Sequence, residues 1–122
     1  MTYKIGWLIP KRVIEVIVPP ICDNAFLKLL DADLNAMLSD SEQSVSILYD
    51  LRNVRQSPSV QTAFNLTYYK HPQLISILTI GMDKNPILRF LCNRVKRGTT
   101  IEVRDFSTPE AARVYLASIE KI

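Results

Sequence analysis

At 122 residues, 48% hydrophobic and 22% charged, the chain is long enough to bury a core without disulfides or a structural metal, and its make-up is that of one globular domain over residues 1–122. The formal charge of +3 is unevenly spread: residues 1–50 hold four basic and seven acidic side chains, residues 51–122 eleven and five. That composition excludes disordered, collagen-like and disulfide-rich classes, and places a positive field on the second part of the chain, of a kind that attracts an acidic protein, an anionic lipid surface or nucleic acid.

Tyr3 to Ile9 and Lys11 to Val18 are apolar, β-branched runs separated by Pro10-Lys11, which predicts an antiparallel hairpin. Pro19-Pro20 ends the second run, because neither residue can donate to a ladder. Asp23 is then a good N-cap for a helix reaching Asp40. Phe26, Leu27, Leu30, Leu34, Met37 and Leu38 form its apolar face, and Lys28, Asp31 and Asn35 lie opposite. Val45 to Leu51 reads as a short central strand.

Ser57-Pro58 offers an N-cap and first-turn proline for a second helix, with Val60, Ala63, Phe64, Thr67 and Tyr68 on one side and Lys70-His71-Pro72 as its stop. In this phase Leu66 and Tyr69 point outward. Leu74 to Gly81 is another apolar strand. Asn85-Pro86 opens a third helix, with Ile87, Leu88, Leu91, Cys92 and Val95 inward and Gly98 at its end. Thr100 to Arg104 is the last strand. Ser107 and Glu110 have capping-box spacing ahead of a final stripe of Ala112, Tyr115, Leu116 and Ile119.

The predicted architecture is α/β: a mixed sheet of about five strands, with an N-terminal β-hairpin followed by α-β-α-β-α-β-α. The strand-helix-strand units call for parallel pairing, and the shared C-terminal edge of such strands is where ligands gather. Asp50, the Gly81–Asp83 stretch and Asp105 fall there.

This order resembles the STAS domain, the SpoIIAA-like group of bacterial anti-sigma-factor antagonists, as a stand-alone member. Locally the resemblance rests on Ile47-Leu48-Tyr49-Asp50-Leu51-Arg52-Asn53-Val54, which is similar to the family's strand ending in Asp-Leu and a turn, and on the stretch from Gly81 to Leu91 leading into a helix. Phosphorylated members carry Asp-Ser-Ser-Gly at the following helix start, where backbone N–H groups hold the phosphate. Here the corresponding run is Ser57-Pro58-Ser59-Val60; Ser59 takes the nearest position, while the acidic residue and glycine are absent.

His71 is the single histidine, which excludes two-His metal motifs and reads as the end of a helix. Gly6, Gly81 and Gly98 lie in separate elements, so there is no phosphate loop. Carboxylates at Asp50, Asp83 and Asp105 could converge on Mg²⁺, but Asp is ordinary at strand ends, and neither a metal, a cofactor nor a catalytic residue is read from the chain. Cys22 and Cys92 fit packed thiols in a cytoplasmic protein, since no signal peptide or run of ~20 apolar residues is present.

The expected function is therefore a non-enzymatic, protein-binding regulatory module of bacterial signalling type. Its interaction face is expected at Asp50, Arg52, Asn53, Arg55, Ser57, Ser59, Leu66 and Tyr69, with Leu66 and Tyr69 as anchors and the arginines as rim. A second, basic face is expected at Arg89, Arg94, Lys96 and Arg97 on the third helix. A binding module for a small apolar or lipid-like ligand is the alternative, as lipid-binding relatives of the fold imply. Nucleic acid fits poorly because no aromatics alternate with the cations, and a homodimer is compatible with the pattern.

Overall fold

The computed structural model describes residues 4–56, 66–82, 89–90, 93–94, 97–98 and 100–120. Five strands form one sheet in chain order: β1 (Lys4–Ile9), β2 (Val13–Ile17), β3 (Val45–Asp50), β4 (Leu74–Ile80) and β5 (Glu102–Phe106). β1 and β2 are antiparallel, and β2, β3, β4 and β5 run parallel. Helix α1 (Asn24–Ser39) connects β2 to β3, and helix α2 (Pro109–Glu120) follows β5.

The last pair of the hairpin is Ile9 and Val13, so three residues, one more than the dipeptide break implied, connect the strands. Arg12 donates its N–H to the Ile9 carbonyl at 3.0 Å, and Lys11 has φ +63°, so Pro10 and Lys11 occupy the central positions of a type II turn. The strand register shifts between Trp7 and Ile9, making Leu8 an extra residue on the bulged strand. The Lys11 ammonium reaches across to the Asp40 carboxylate at the far end of α1.

Both central strands are covered on both faces, as their lack of charge requires. Every residue of β3 except Asp50 is buried, and in β4 only Ile75 is exposed, at 49%. Ile75 owes this to a register shift: Val45 pairs with Leu74 and Ser46 with Ser76, leaving Ile75 without a partner opposite. The displacement keeps Leu74 in the core and lets the buried Ser76 hydroxyl bond that of Ser46 at 2.6 Å.

The pleat divides the core in two. Ile14, Val16, Ile47, Tyr49 and Ile77 face α1, where Phe26, Leu27, Leu30, Leu34 and Leu38 complete one cluster. Val13, Leu48, Leu78 and Ile80 face the other way, against Ala112 and Leu116 of α2. Tyr115 of α2 packs on Phe106 at 5.5 Å between ring centroids, and Arg104 lies over the same ring at 5.0 Å.

Three expectations change. The last strand begins two residues later than Thr100 and includes Asp105. The cap of α2 is Thr108, whose hydroxyl accepts the Ala111 N–H at 3.2 Å, in place of the Ser107–Glu110 box. The second predicted helix does not run to Lys70: Leu66 and Thr67 are non-helical, and Tyr68–Lys70 form a single 3-10 turn. Leu66 is consequently a core residue, 8% exposed, and Tyr69 is half-buried against the same cluster, in edge-to-face contact with Tyr68 at 5.9 Å.

The physical reason lies in Asp31, placed by periodicity on the solvent side of α1. Its carboxylate accepts the N–H groups of Thr67 and Tyr68 at 2.9 and 2.8 Å and the Thr67 hydroxyl at 3.0 Å. Asn35 also donates to the Thr67 hydroxyl, at 2.9 Å. Two backbone donors and a hydroxyl thus find a partner on another element. This rotates Leu66 inward in a way no helical wheel of residues 57–70 would show.

Candidate functional site

The parallel strands end at one edge, and the loops there are tied to one another by main-chain bonds. Val18 donates to the Asp50 carbonyl at 3.1 Å, and the Pro20 carbonyl accepts both Arg55 and Gln56 N–H, at 2.8 and 3.0 Å. Cys22 donates back to the Gln56 carbonyl at 3.0 Å, so Ile21 and Gln56 form a short parallel bridge. The Pro-Pro step that ended β2 makes this arrangement reasonable. Its residues have no N–H to satisfy, and the Pro20 carbonyl is free to serve the neighbouring loop.

Asp50 organises the turn that follows β3. Leu51 and Val54 close it by a carbonyl–N–H bond of 3.2 Å, leaving Arg52 and Asn53 at the tip. One Asp50 oxygen accepts the Arg52 N–H at 3.1 Å, as an Asp side chain does for the residue two ahead, and also Arg52 Nε at 2.9 Å. The other oxygen accepts the Arg52 terminal nitrogen at 2.7 Å. The guanidinium therefore grips the carboxylate with two donors. This pairing with Arg52 holds the Asp50 carboxyl below the usual carboxylate range.

The clamp lies against the β4 exit. Gly81 has φ +81°, and a β-carbon there would sit 3.1 Å from Arg52 Cγ. Only glycine accepts this backbone without strain, and its missing side chain makes room for the arginine stem. Beyond it, the Asp105 carboxylate accepts the Thr79 hydroxyl at 2.7 Å and the Met82 N–H at 3.1 Å, which fixes the start of the next loop. Asp50 and Asp105 do share the C-terminal edge, but each is engaged as an acceptor for protein donors. Among the described residues no group of three potential metal ligands comes together. Asp83 lies outside the described residues.

Of the residues expected to carry recognition, Arg52, Asn53 and Arg55 are exposed at this edge, and Asp50 is half-buried beneath them. The Arg52 charge is paired with that of Asp50. Ser57 and Ser59 lie outside the described residues. Leu66 belongs to the core packing described above and is not a surface anchor, while Tyr69 is half-buried against the same cluster.

Ile21 was missed by sequence reasoning. It is 45% exposed and stands beside Gln56 and the exposed Pro20. The available signal was an isoleucine between Pro-Pro and the Asp23 cap, outside both the strand and the helix periodicity. Next to it the Cys22 thiol is buried and its pKa is pushed up to about 12, first by desolvation and then by the Asp23 carboxylate. Such a thiol is a packing group. His71, expected to end a helix, caps the 3-10 turn with its N–H on the Tyr68 carbonyl; its Nδ1 accepts the Gln73 N–H at 3.2 Å while Nε2 bonds the Ser39 hydroxyl at 3.1 Å.

No helix among the described residues is long and apolar enough to cross a membrane. No protein-family model and no curated protein matches the chain. Among solved structures, the Bacillus cell-fate determinant SpoIIAA in its phosphorylated form is similar with a TM-score of 0.66 at 10% sequence identity, over 94% of this chain and 99% of that one. At that identity the likeness speaks for the backbone arrangement alone. Together with the element order, the antiparallel β1–β2 hairpin and the parallel β2–β5 ladder, it establishes that the chain has the STAS, SpoIIAA-like fold.

Proposed function

We propose that this protein is a non-catalytic regulatory module that binds another protein through the loops at the C-terminal edge of its sheet. The observation that supports this most is the construction of that edge. Exposed Ile21, Arg52, Asn53, Arg55 and Gln56 are displayed on two short loops held together by backbone bonds and by the Asp50–Arg52 clamp. Recognition residues on loops braced by a rigid scaffold keep their geometry on binding and lose little entropy. The fold likeness to a bacterial cell-fate determinant supports a regulatory role of this kind.

Ile21 is the apolar anchor in this reading, and Arg55 and Asn53 form its polar rim. The test is affinity capture from the native host with the wild-type protein and with Ile21→Asp and Arg55→Glu variants of unchanged melting temperature. A partner retained by the wild type and lost by both variants supports the assignment. A partner retained equally by all three moves the interface elsewhere. Arg55→Glu alone should slow association and alter its salt dependence, as a rim charge does.

A further inference from the structure

Between Asp83 and Glu102 the chain contains five cationic residues, Lys84, Arg89, Arg94, Lys96 and Arg97, and no acidic one. The described residues from 89 to 98 are helical, and Arg89, Phe90, Asn93, Arg94 and Arg97 are all exposed. At about 100° per residue, Arg89, Asn93, Arg97, Phe90 and Arg94 follow one another around a continuous arc of roughly 140°. Phe90, 52% exposed, falls inside that arc, between Arg97 and Arg94. An aromatic ring exposed among arginines adds apolar surface that a purely ionic contact would not use.

We propose that this face docks the protein peripherally on an anionic lipid surface, the arginines meeting phosphate headgroups while the Phe90 ring enters the boundary with the acyl chains. Both parts of the face contribute to such a contact: cations concentrate at a negative surface, and an aromatic side chain prefers the headgroup level to water. A second copy of the chain is a poorer occupant. Of the acidic side chains in residues 1–50, those of Asp23, Asp31, Asp40 and Asp50 are already committed to a helix cap, a loop and two cation pairs within the fold. Nucleic acid would use the arginines, but a single ring on the face gives no stacking series. This face shares no residue with the loops proposed for protein recognition, so either assignment can fail without the other.

The test is co-sedimentation of the full chain with vesicles of phosphatidylcholine alone and of phosphatidylcholine mixed with phosphatidylglycerol, at low and physiological ionic strength. Binding is expected only to the mixed vesicles and should weaken with salt. The double variant Arg89→Gln, Arg97→Gln should lower the partition coefficient about 25-fold, from about five-fold per arginine. Phe90→Ala should lower it further without changing the salt dependence, and melting temperatures on the same samples establish that the variants are folded. Equal binding to neutral vesicles, no binding to the mixed ones, or a folded arginine variant that binds as the wild type does overturns the proposal. Preferential capture of a short DNA duplex or of polyglutamate by the same arginines overturns it as well, and reassigns the face to nucleic acid or to an acidic protein.

Discussion

Asp50 shows how one carboxylate can serve a turn without being a ligand site. It ends the central strand β3, so its backbone is held by the ladder while its side chain turns back on the residues that follow. The Arg52 fork keeps its folded pKa below the ordinary value, and the sign of the pH effect follows. The pair adds stability at pH values above the ordinary aspartate range, and this is lost as pH falls through the lower folded value. Asp50→Asn should therefore lower the melting temperature at pH 7, and its gap from the wild type should close as pH drops below about 4. Thermal unfolding of both proteins across that range checks this; a gap that persists in acid would mean that the amide fails for steric reasons. Because Arg52 is solvent-exposed, the effect at neutral pH should be modest and should shrink in high salt.

At the scale of elements, the segment from Leu66 to Lys70 behaves as a strap across α1 and not as the end of a helix. Asp31 holds its backbone and Asn35 the Thr67 hydroxyl, Leu66 enters the core, and Tyr68 leans on Tyr49 at 6.5 Å between ring centroids. Truncating a leucine at such a position removes its transfer energy and leaves a cavity. Leu66→Ala should thus cost about 2–4 kcal/mol in urea-induced unfolding with an unchanged denaturant slope. A loss under about 0.5 kcal/mol would restore Leu66 to the surface. The same contacts explain why an outward anchor role for Leu66 does not survive: at 8% exposure its side chain offers a partner almost no surface.

At the scale of the whole molecule, the two faces of the sheet depend on different parts of the chain. One is covered by α1 and the Leu66 strap, the other by α2, whose Ala112 and Leu116 close over Val13, Leu48, Leu78 and Ile80. Helix α2 is therefore the cover of one core and not an appendage. A chain ending at Phe106 should expose a contiguous apolar sheet face, bind a hydrophobic dye and self-associate, as size-exclusion chromatography would show. A monomeric, cooperatively melting truncation would contradict this division of the core.

Element order and the nature of the sheet were legible in the sequence because they depend on local periodicity and chain length. β-branched runs broken by Pro10-Lys11 make a hairpin, uncharged runs such as residues 45–49 must be covered on both faces, and a helix between strands forces parallel pairing. The Asp23 cap and the place of Asp50 at the strand end were legible for the same reason, since each acts within three residues of itself. What only the tertiary structure decided were contacts between segments far apart in the chain. Asp31 capturing Thr67 and Tyr68 set the phase of Leu66, the register shift at Val45 pushed out Ile75, and the Pro20 carbonyl joined two loops and brought Ile21 beside Gln56. Each depends on a hydrogen bond or a strand register whose partners are brought together only when the chain folds, and periodicity along one segment carries no trace of them.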